Sequence, residues 1–365
     1  MIESVRFFIR FSMFFLSLVL FAAPASLPAQ VTGGESVYAF LDLPASARMA
    51  ALRGNLLSVA DGDVVLAEAN PALLRSVEKG ALSFSHAFLP AGIQTGYFAY
   101  AHRFEKAGLN AHLGLRYIAY GSFQGRDETG AATEMFKAKE TALIVGASRQ
   151  LYERLSLGVN VKVVSSAFEQ YNSWGLLGDL GFFYSDTSRN LHLGLVFRQF
   201  GRQLTTYADL RERPPYDLRL AVSKRLKYLP FRLTVMYHDL QDWNILYDDP
   251  TRKEDQLLLF DESVPQEDKG FAWFDNLARH FTLSGEFLLG KRESLRLRLG
   301  YDHQLQREMK VRTYRSLAGF SLGFGLQVKR FRIDYGYAFQ HLAGGYHYFT
   351  LSTGLRQFGH KKALD

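Results

Sequence analysis

The chain has 365 residues, 47% of them hydrophobic, which is enough for a large core or for a membrane architecture. Its net charge of +7 is scattered rather than gathered in blocks, so nothing marks it as a nucleic-acid binder. With no cysteine, neither a disulfide framework nor a cysteine metal centre is open to it.

Residues 1–30, "MIESVRFFIRFSMFFLSLVLFAAPASLPAQ", read as a secretory signal peptide. Arg6 and Arg10 form the basic start and Phe11 to Phe21 the apolar run. The small residues Ala23, Ala25 and Ala29 place cleavage between Ala25 and Gln30. The run is short for a membrane anchor, and no later stretch has the ~18 consecutive apolar residues of a helical span. Export is expected, with any membrane crossing made by strands. Residues 31–80 show little alternation and contain Asn70-Pro71, a helix cap followed by proline at the first helical position. They suit a small periplasmic domain or, better, a plug inside a barrel.

From Ala81 onward the pattern changes to a period of two. "LNAHLGLRYIAY" sets Leu109, Ala111, Leu113, Leu115 and Tyr117 against Asn110, His112, Gly114 and Arg116. "SLRLRLGYDHQ" sets Leu295, Leu297 and Leu299 against Arg296 and Arg298. Alone, such a segment fits a soluble sheet with one wet face or a membrane strand with one lipid face. Fourteen segments of this kind begin near Ala81, Gln94, Leu109, Ala138, Leu155, Asn172, Asn190, Tyr216, Pro230, Arg279, Ser294, Ser316, Phe331 and Tyr346. Most run 10 to 14 residues, longer than the usual soluble strand.

Connections give a second criterion. Links after even-numbered segments are short: "EKAG", "YER", "DTSR", "KYL", "GKRE" and Lys329-Arg330. Several after odd ones are long: Gly121 to Lys137, Gly201 to Pro215, Asp239 to Ala278 and Gln304 to Arg315. Short turns at one end and long loops at the other characterise outer-membrane barrels. The 14% aromatic content, with 31 Gly against 10 Pro, points the same way. The expected fold is an all-β membrane protein, a fourteen-stranded antiparallel outer-membrane β-barrel over residues 81–358, with an N-terminal plug segment at 31–80. The last segment ends on Phe358, followed by a tail at 359–365.

The lumen side of this barrel would carry Arg116, Lys162, Arg198, Arg219, Arg232, Arg296, Arg298, Lys329 and Arg332 against Glu140, Asp179, Glu286 and Asp334. They make either a basic pore or an internally paired wall, and hairpin pairing around "GKRES" puts Glu286 near Arg298. Gly319, Gly323 and Gly325 would share the inward face of the twelfth segment and leave room for the plug. The long loop 239–278 holds the aromatics Trp243, Tyr247, Phe260, Phe271, Trp273 and Phe274, a candidate partner surface. Its acidic residues lack the spacing of a calcium loop. Adjacent His238 and Asp239 should point to opposite faces and form no dyad. No HxxxH or HExxH pattern occurs, so no metal is expected, and nothing else in the sequence marks a cofactor or a catalytic residue.

The run "GGESVYAFLDLPASARMAALRGNLLSVADGDVVLAEANPALL", with its Ser-Ala-Arg, Ala-Asp and Asn-Pro-Ala elements, resembles the start of FadL-like barrels. More narrowly it resembles the PorV/PorQ group of the type IX secretion system. "YGSFQGRDETG", "FGRQLTTYAD", "PPYDLRLAVSKRLKYLPFRLTVMYHDLQDWN" and "DNLARHFTLSGEFLL" are similar to the PorQ members, and the likeness extends from Gly33 almost to Phe358. The resemblance implies a FadL-like fourteen-stranded barrel in the outer membrane, surrounded by outer-membrane lipid and lipopolysaccharide. It also implies a non-enzymatic anchor for a PorZ-type surface protein, alongside PorU and PorV, in the complex that couples secreted cargo to anionic lipopolysaccharide. A FadL-like transporter or channel for hydrophobic or anionic small molecules is the alternative.

Overall fold

Runs that alternate apolar residues with glycine, hydroxyl or charged residues favour an extended chain whose two faces meet different surroundings. In the computed structural model, which describes residues 36–77, 79–207, 211–245, 269–309, 316–341 and 344–355 (backbone alone for 269–272 and 292), these runs pair into a closed sheet. The signal peptide expected at 1–30, Phe358 and the tail at 359–365 lie outside the described residues. The strands of the first half are β1 Ala81–Phe88, β2 Gln94–Phe104, β3 Leu109–Arg126, β4 Ala132–Tyr152, β5 Leu155–Phe168, β6 Tyr171–Asp186 and β7 Leu191–Thr205. The second half holds β8 Asp217–Arg225, β9 Phe231–Tyr237, β10 Phe281–Leu289, β11 Leu295–Asp302, β12 Phe320–Val328, β13 Phe331–His341 and β14 Gly344–Gly354. Each strand is antiparallel to its sequence neighbours, and β1 closes the barrel on β14 from Ala81↔Gly354 to Phe88↔His347.

Strand lengths depart from the 10 to 14 expected, running from 7 residues in β9 to 21 in β4. The stretch from Gly121 to Lys137, expected as a loop, is mostly paired strand that continues β3 and β4 as far as Arg126↔Ala132. It closes on a turn where Asp127 Oδ1 accepts from the Thr129 and Ala131 amides at 2.9 Å. Phe123 stacked on Phe136 at 5.4 Å supports the ladder. β4 therefore starts at Ala132 rather than Ala138. β12 starts at Phe320 rather than Ser316, because Gly319 turns the chain with φ +87°.

Leu295, Leu297 and Leu299 lie on the exposed outer surface, while Arg298 on the same strand is buried in the lumen. Leu113, Leu115, Leu143, Val145, Val161, Leu322 and Leu351 continue the outward apolar belt. Exposed aromatics rim both ends: Phe104, Tyr152 and Phe331 at one, Phe88, Trp174, Tyr216 and Phe320 at the other. An apolar band between aromatic girdles is the surface a lipid bilayer requires. Among the described residues no helix is long and apolar enough to cross a membrane. Links after even strands are short, whereas 206–216, 238–280 and 303–319 follow odd strands. The end bearing these long links is the outer one.

Residues 36–77 fill the lumen. The segment enters beside the outer mouth, where Ser36 bridges Arg213 and the Tyr38 hydroxyl meets Ser173 Oγ at 2.6 Å. It leaves at the inner end, where Gly80 bonds Ala101 and Leu355. Between these points it touches the wall all round: Ala47 donates to Thr350, Asn55 to the Thr234 and Thr282 carbonyls, and Asn70 to Phe182 O. Two short helices, Ala47–Ala51 and Leu66–Ala69, and two 3-10 turns, Ala39–Asp42 and Pro71–Ser76, make up its regular structure. Ser46 caps the first helix, and Asn70 caps the second turn with Pro71 at its first position. Leu52, Leu56, Leu57, Leu66, Leu73 and Leu74 form its core with Tyr97, Ile144, Phe183 and Val196 of the wall.

Candidate functional site in the barrel lumen

Glycine on the inward face lets the segment's backbone lie directly on the strands. A Cβ at Gly194 would collide with Leu57 O, one at Gly336 with Ala47 O, and one at Gly158 with the Pro71 carbonyl carbon. Gly323 leaves 2.5 Å between its own would-be Cβ and that of Ala51. Backbone seated this close carries its side chains into two sets of wall charges.

The first set surrounds Glu68. Its carboxylate faces Arg116 at 3.3 Å, Lys162 at 3.5 Å and Arg198 at 3.8 Å, all buried. Lys162 also pairs with Asp179 at 2.9 Å, and Arg116 donates to the Leu41 and Leu43 carbonyls. A bulge shapes this cage: register passes from Gly178↔Phe200 to Leu180↔Phe197, so Arg198 and Gln199 together oppose Asp179. Gln199, at φ +55°, is buried and donates its amide to Asp179 at 2.9 Å. Burial alone would raise the Glu68 pKa, but Lys162, Arg116 and Arg198 reverse this and hold it at about 2, below its ordinary 4.5. A carboxylate depressed on folding stabilises fully above its unfolded value and loses that contribution as pH falls through its folded one. An acid protease that cleaves an unfolded control equally at both pH values should therefore release fragments of 36–77 from the folded protein at pH about 2 and not at pH about 5. Equal release at both would show that Glu68 does not hold the segment.

The second set lies nearer the inner end. Glu286 accepts from Arg48 through two bonds of 3.0 Å, from Arg298 at 3.0 Å and from Arg232 at 2.9 Å. Arg48 also grips Asp61 with bonds of 2.9 and 2.7 Å. Arg298 passes on to Asp334 at 2.6 Å, Arg332 joins Asp63 at 2.7 Å, and Arg296 approaches Asp61 at 3.7 Å. The register explains the row: Arg232, Glu286 and Arg298 lie opposite one another across β9, β10 and β11. β12 then contributes Gly323 and Gly325, across which Arg298 reaches Asp334 on β13. Burial opposes the charge on Asp61, yet Arg48, Arg232 and Arg296 hold its carboxyl well below the usual range.

The structure therefore brings Arg116, Lys162, Arg198, Arg232, Glu286, Arg296, Arg298, Arg332 and Asp334 into two networks, and Asn70 and Pro71 into the segment's inner turn. Glu140 stands apart, accepting from the Tyr120 hydroxyl at 2.6 Å, and Arg219 pairs with Asp217. Two glycine and lysine expectations need correcting. Lys329 is exposed in the turn between β12 and β13, and Gly319 is a turn residue rather than a lumen one. The sequence reading missed Arg48, Asp61, Asp63, Glu68 and Gln199.

At the outer mouth His238 and Asp239 do meet, contrary to expectation, with Nδ1 2.7 Å from Oδ2. Strand alternation has ended at Tyr237, and Asp239 has φ +53°, which swings its side chain back. Asn276 donates to Trp243 O at 2.5 Å, and the Trp243, Trp273 and Phe274 rings follow at centroid spacings of 5.9 and 5.0 Å. All three are about half exposed or more. Tyr247 and Phe260 lie outside the described residues, as does the side chain of Phe271. A pocket of about 220 Å³ opens at the inner end between Asp61, Ser76, Gln327, Arg332 and Ser352.

No protein-family model matches the chain. No curated protein sequence matches it either. Among solved structures, a "TodX monoaromatic hydrocarbon channel deltaS2 mutant" aligns over 85% of this chain and 97% of its own, at 13% identity and a TM-score of 0.50. The Pseudomonas putida toluene transporter TodX aligns over 83% and 95%, at 10% identity and a TM-score of 0.48. A Pseudomonas aeruginosa FadL homologue aligns over 84% and 97%, at 12% identity and a TM-score of 0.45. At such identities the likeness is one of fold. With its apolar belt and closed antiparallel sheet, the chain is a multi-pass β-barrel of the outer membrane with the fold of FadL-like barrels.

Proposed function

We propose that this barrel is a non-enzymatic anchor that holds a soluble surface protein at its outer mouth, in the manner of the PorQ proteins it resembles. The observation that carries this reading is the lumen. Six of the wall's cations meet carboxylates of residues 36–77, and the segment's backbone rests on wall glycines, so the resting barrel offers a post rather than a passage. The partner would be of PorZ type, with PorU and PorV, in the attachment complex of a type IX secretion system. Trp243, Trp273 and Phe274 supply its docking platform, since half-exposed aromatics on a pinned element are the usual centres of binding energy.

Trp273→Ala with Phe274→Ala should leave the barrel folded and weaken capture of the surface partner, each truncation costing about 2 kcal/mol, roughly 30-fold in affinity. The measurement is the partner recovered with the tagged barrel from detergent-solubilised membranes. Unchanged recovery removes the platform from the proposal. A second reading, a FadL-like transporter, draws support from the fold shared with TodX. It expects no stoichiometric partner and a loss of small-molecule uptake in a deletion strain.

A further inference from the structure

Three carboxylates of the inner segment are held by six cations of the wall. Glu68 takes Arg116, Lys162 and Arg198; Asp61 takes Arg232 and Arg296; Asp63 takes Arg332. The wall keeps carboxylates of its own against these cations, Asp179 on Lys162, Glu286 on Arg232 and Asp334 on Arg332. These leave Arg116, Arg198 and Arg296 with no wall carboxylate among the ion pairs of the described residues, apart from Glu293 at 3.8 Å from Arg296 at the inner rim. The inner segment thus acts as the wall's counter-ion at two levels, fully around Glu68 at mid-wall and in part near the inner ends of β9, β11 and β13, where its own Arg48 shares Asp61 and Asp63 with the wall and pairs with Glu286.

We propose that the lumen is a latent pathway for small anions, carboxylates or phosphates, whose two binding stations residues 36–77 occupy with their own carboxylates. Displacing the segment would leave the buried guanidinium groups of Arg116 and Arg198 without a carboxylate, an arrangement that an entering anion relieves. Rings of arginine and lysine in a low-dielectric wall focus potential and select anions over cations. The segment is joined covalently to the barrel only through Gly80 into β1, so it can move without breaking the closed sheet. This activity is separate from anchoring and stands or falls without it.

The cysteine-free chain allows a clean test. Ser58 Oγ and Ser223 Oγ lie 2.5 Å apart, one on the segment and one on β8, so Ser58→Cys with Ser223→Cys places a reversible lock between them. Single-channel currents are read in planar bilayers under a potassium chloride gradient. The unmodified protein should be closed, and Asp61→Asn with Glu68→Gln should open it with a reversal potential showing at least ~5-fold preference for chloride. Adding Arg116→Gln, Lys162→Gln and Arg198→Gln should bring that preference towards unity. Oxidising the cysteine pair should shut the opened variant and reductant should restore it. The unmodified barrel in urea short of wall unfolding gives the same readout should the charge variant not fold. No openings in either preparation, unselective or cation-selective openings, or openings indifferent to the lock overturn the proposal.

Discussion

Glu286→Gln should cost the folded barrel about 3–5 kcal/mol, whereas Glu293→Gln should cost about 1 kcal/mol or less. Both side chains are carboxylates at the inner end of the same hairpin, and both are paired with arginine. Glu293 meets a half-exposed Arg225 in water-accessible surroundings. Glu286 is buried and is the meeting point of Arg48, Arg232 and Arg298. Replacing it with a neutral amide leaves three guanidinium groups to share Asp61, Asp63 and Asp334, and a buried cation without its partner is far more expensive than a surface pair is valuable. The check is the urea midpoint in detergent, read by the gel mobility of unheated samples. Adding Arg298→Met to Glu286→Gln should recover part of the loss, because a neutral pair is less costly than a lone charge. Equal midpoints for Glu286→Gln and Glu293→Gln would mean that the network does not hold the wall to the inner segment.

The wall was largely legible because lipid imposes a strict contrast between alternate residues. β2, β3, β5 and β13 begin at the residues where the alternation begins, and Glu286 opposite Arg298 follows from the "GKRES" turn alone. Legibility fails where that contrast ends. Beyond Gly121 the β3–β4 hairpin stands in water on both sides, so "GSFQGRDETGAATEMFK" alternates nothing and looks like a loop. His238 and Asp239 are adjacent residues at a strand end, where a single positive φ cancels the alternation rule. Gln199 enters the lumen through a bulge that no local pattern announces. The inner segment's share of the site was hidden for a different reason. Arg48 finds Glu286 across 238 residues of chain, and nothing periodic in residues 36–77 says which side chains face which strand. A sequence can thus display six wall cations while giving no hint of the three carboxylates that neutralise them.

Gly194→Ala, Gly158→Ala and Gly336→Ala should each destabilise the seated segment by about 2–3 kcal/mol, while Gly285→Ala should be neutral or slightly stabilising. In an empty barrel all four would have the same sign. Glycine inside a strand loses more freedom on folding than alanine does, by about 0.5–1 kcal/mol, so replacing it normally helps. None of the four has a positive φ that would make alanine strained. What separates them is what a methyl group meets. At Gly194, Gly158 and Gly336 it meets the backbone of Leu57, Pro71 and Ala47, which cannot turn aside. At Gly285 it meets the far end of the Phe231 ring, which can swing into the surrounding lipid. The first three variants should therefore expose 36–77 to protease while the heat-resistant barrel persists, and Gly285→Ala should leave the segment protected. Stabilisation by all four would place the segment's backbone away from the strands, and both the closed resting lumen and the counter-ion role of Glu68 would fall with it.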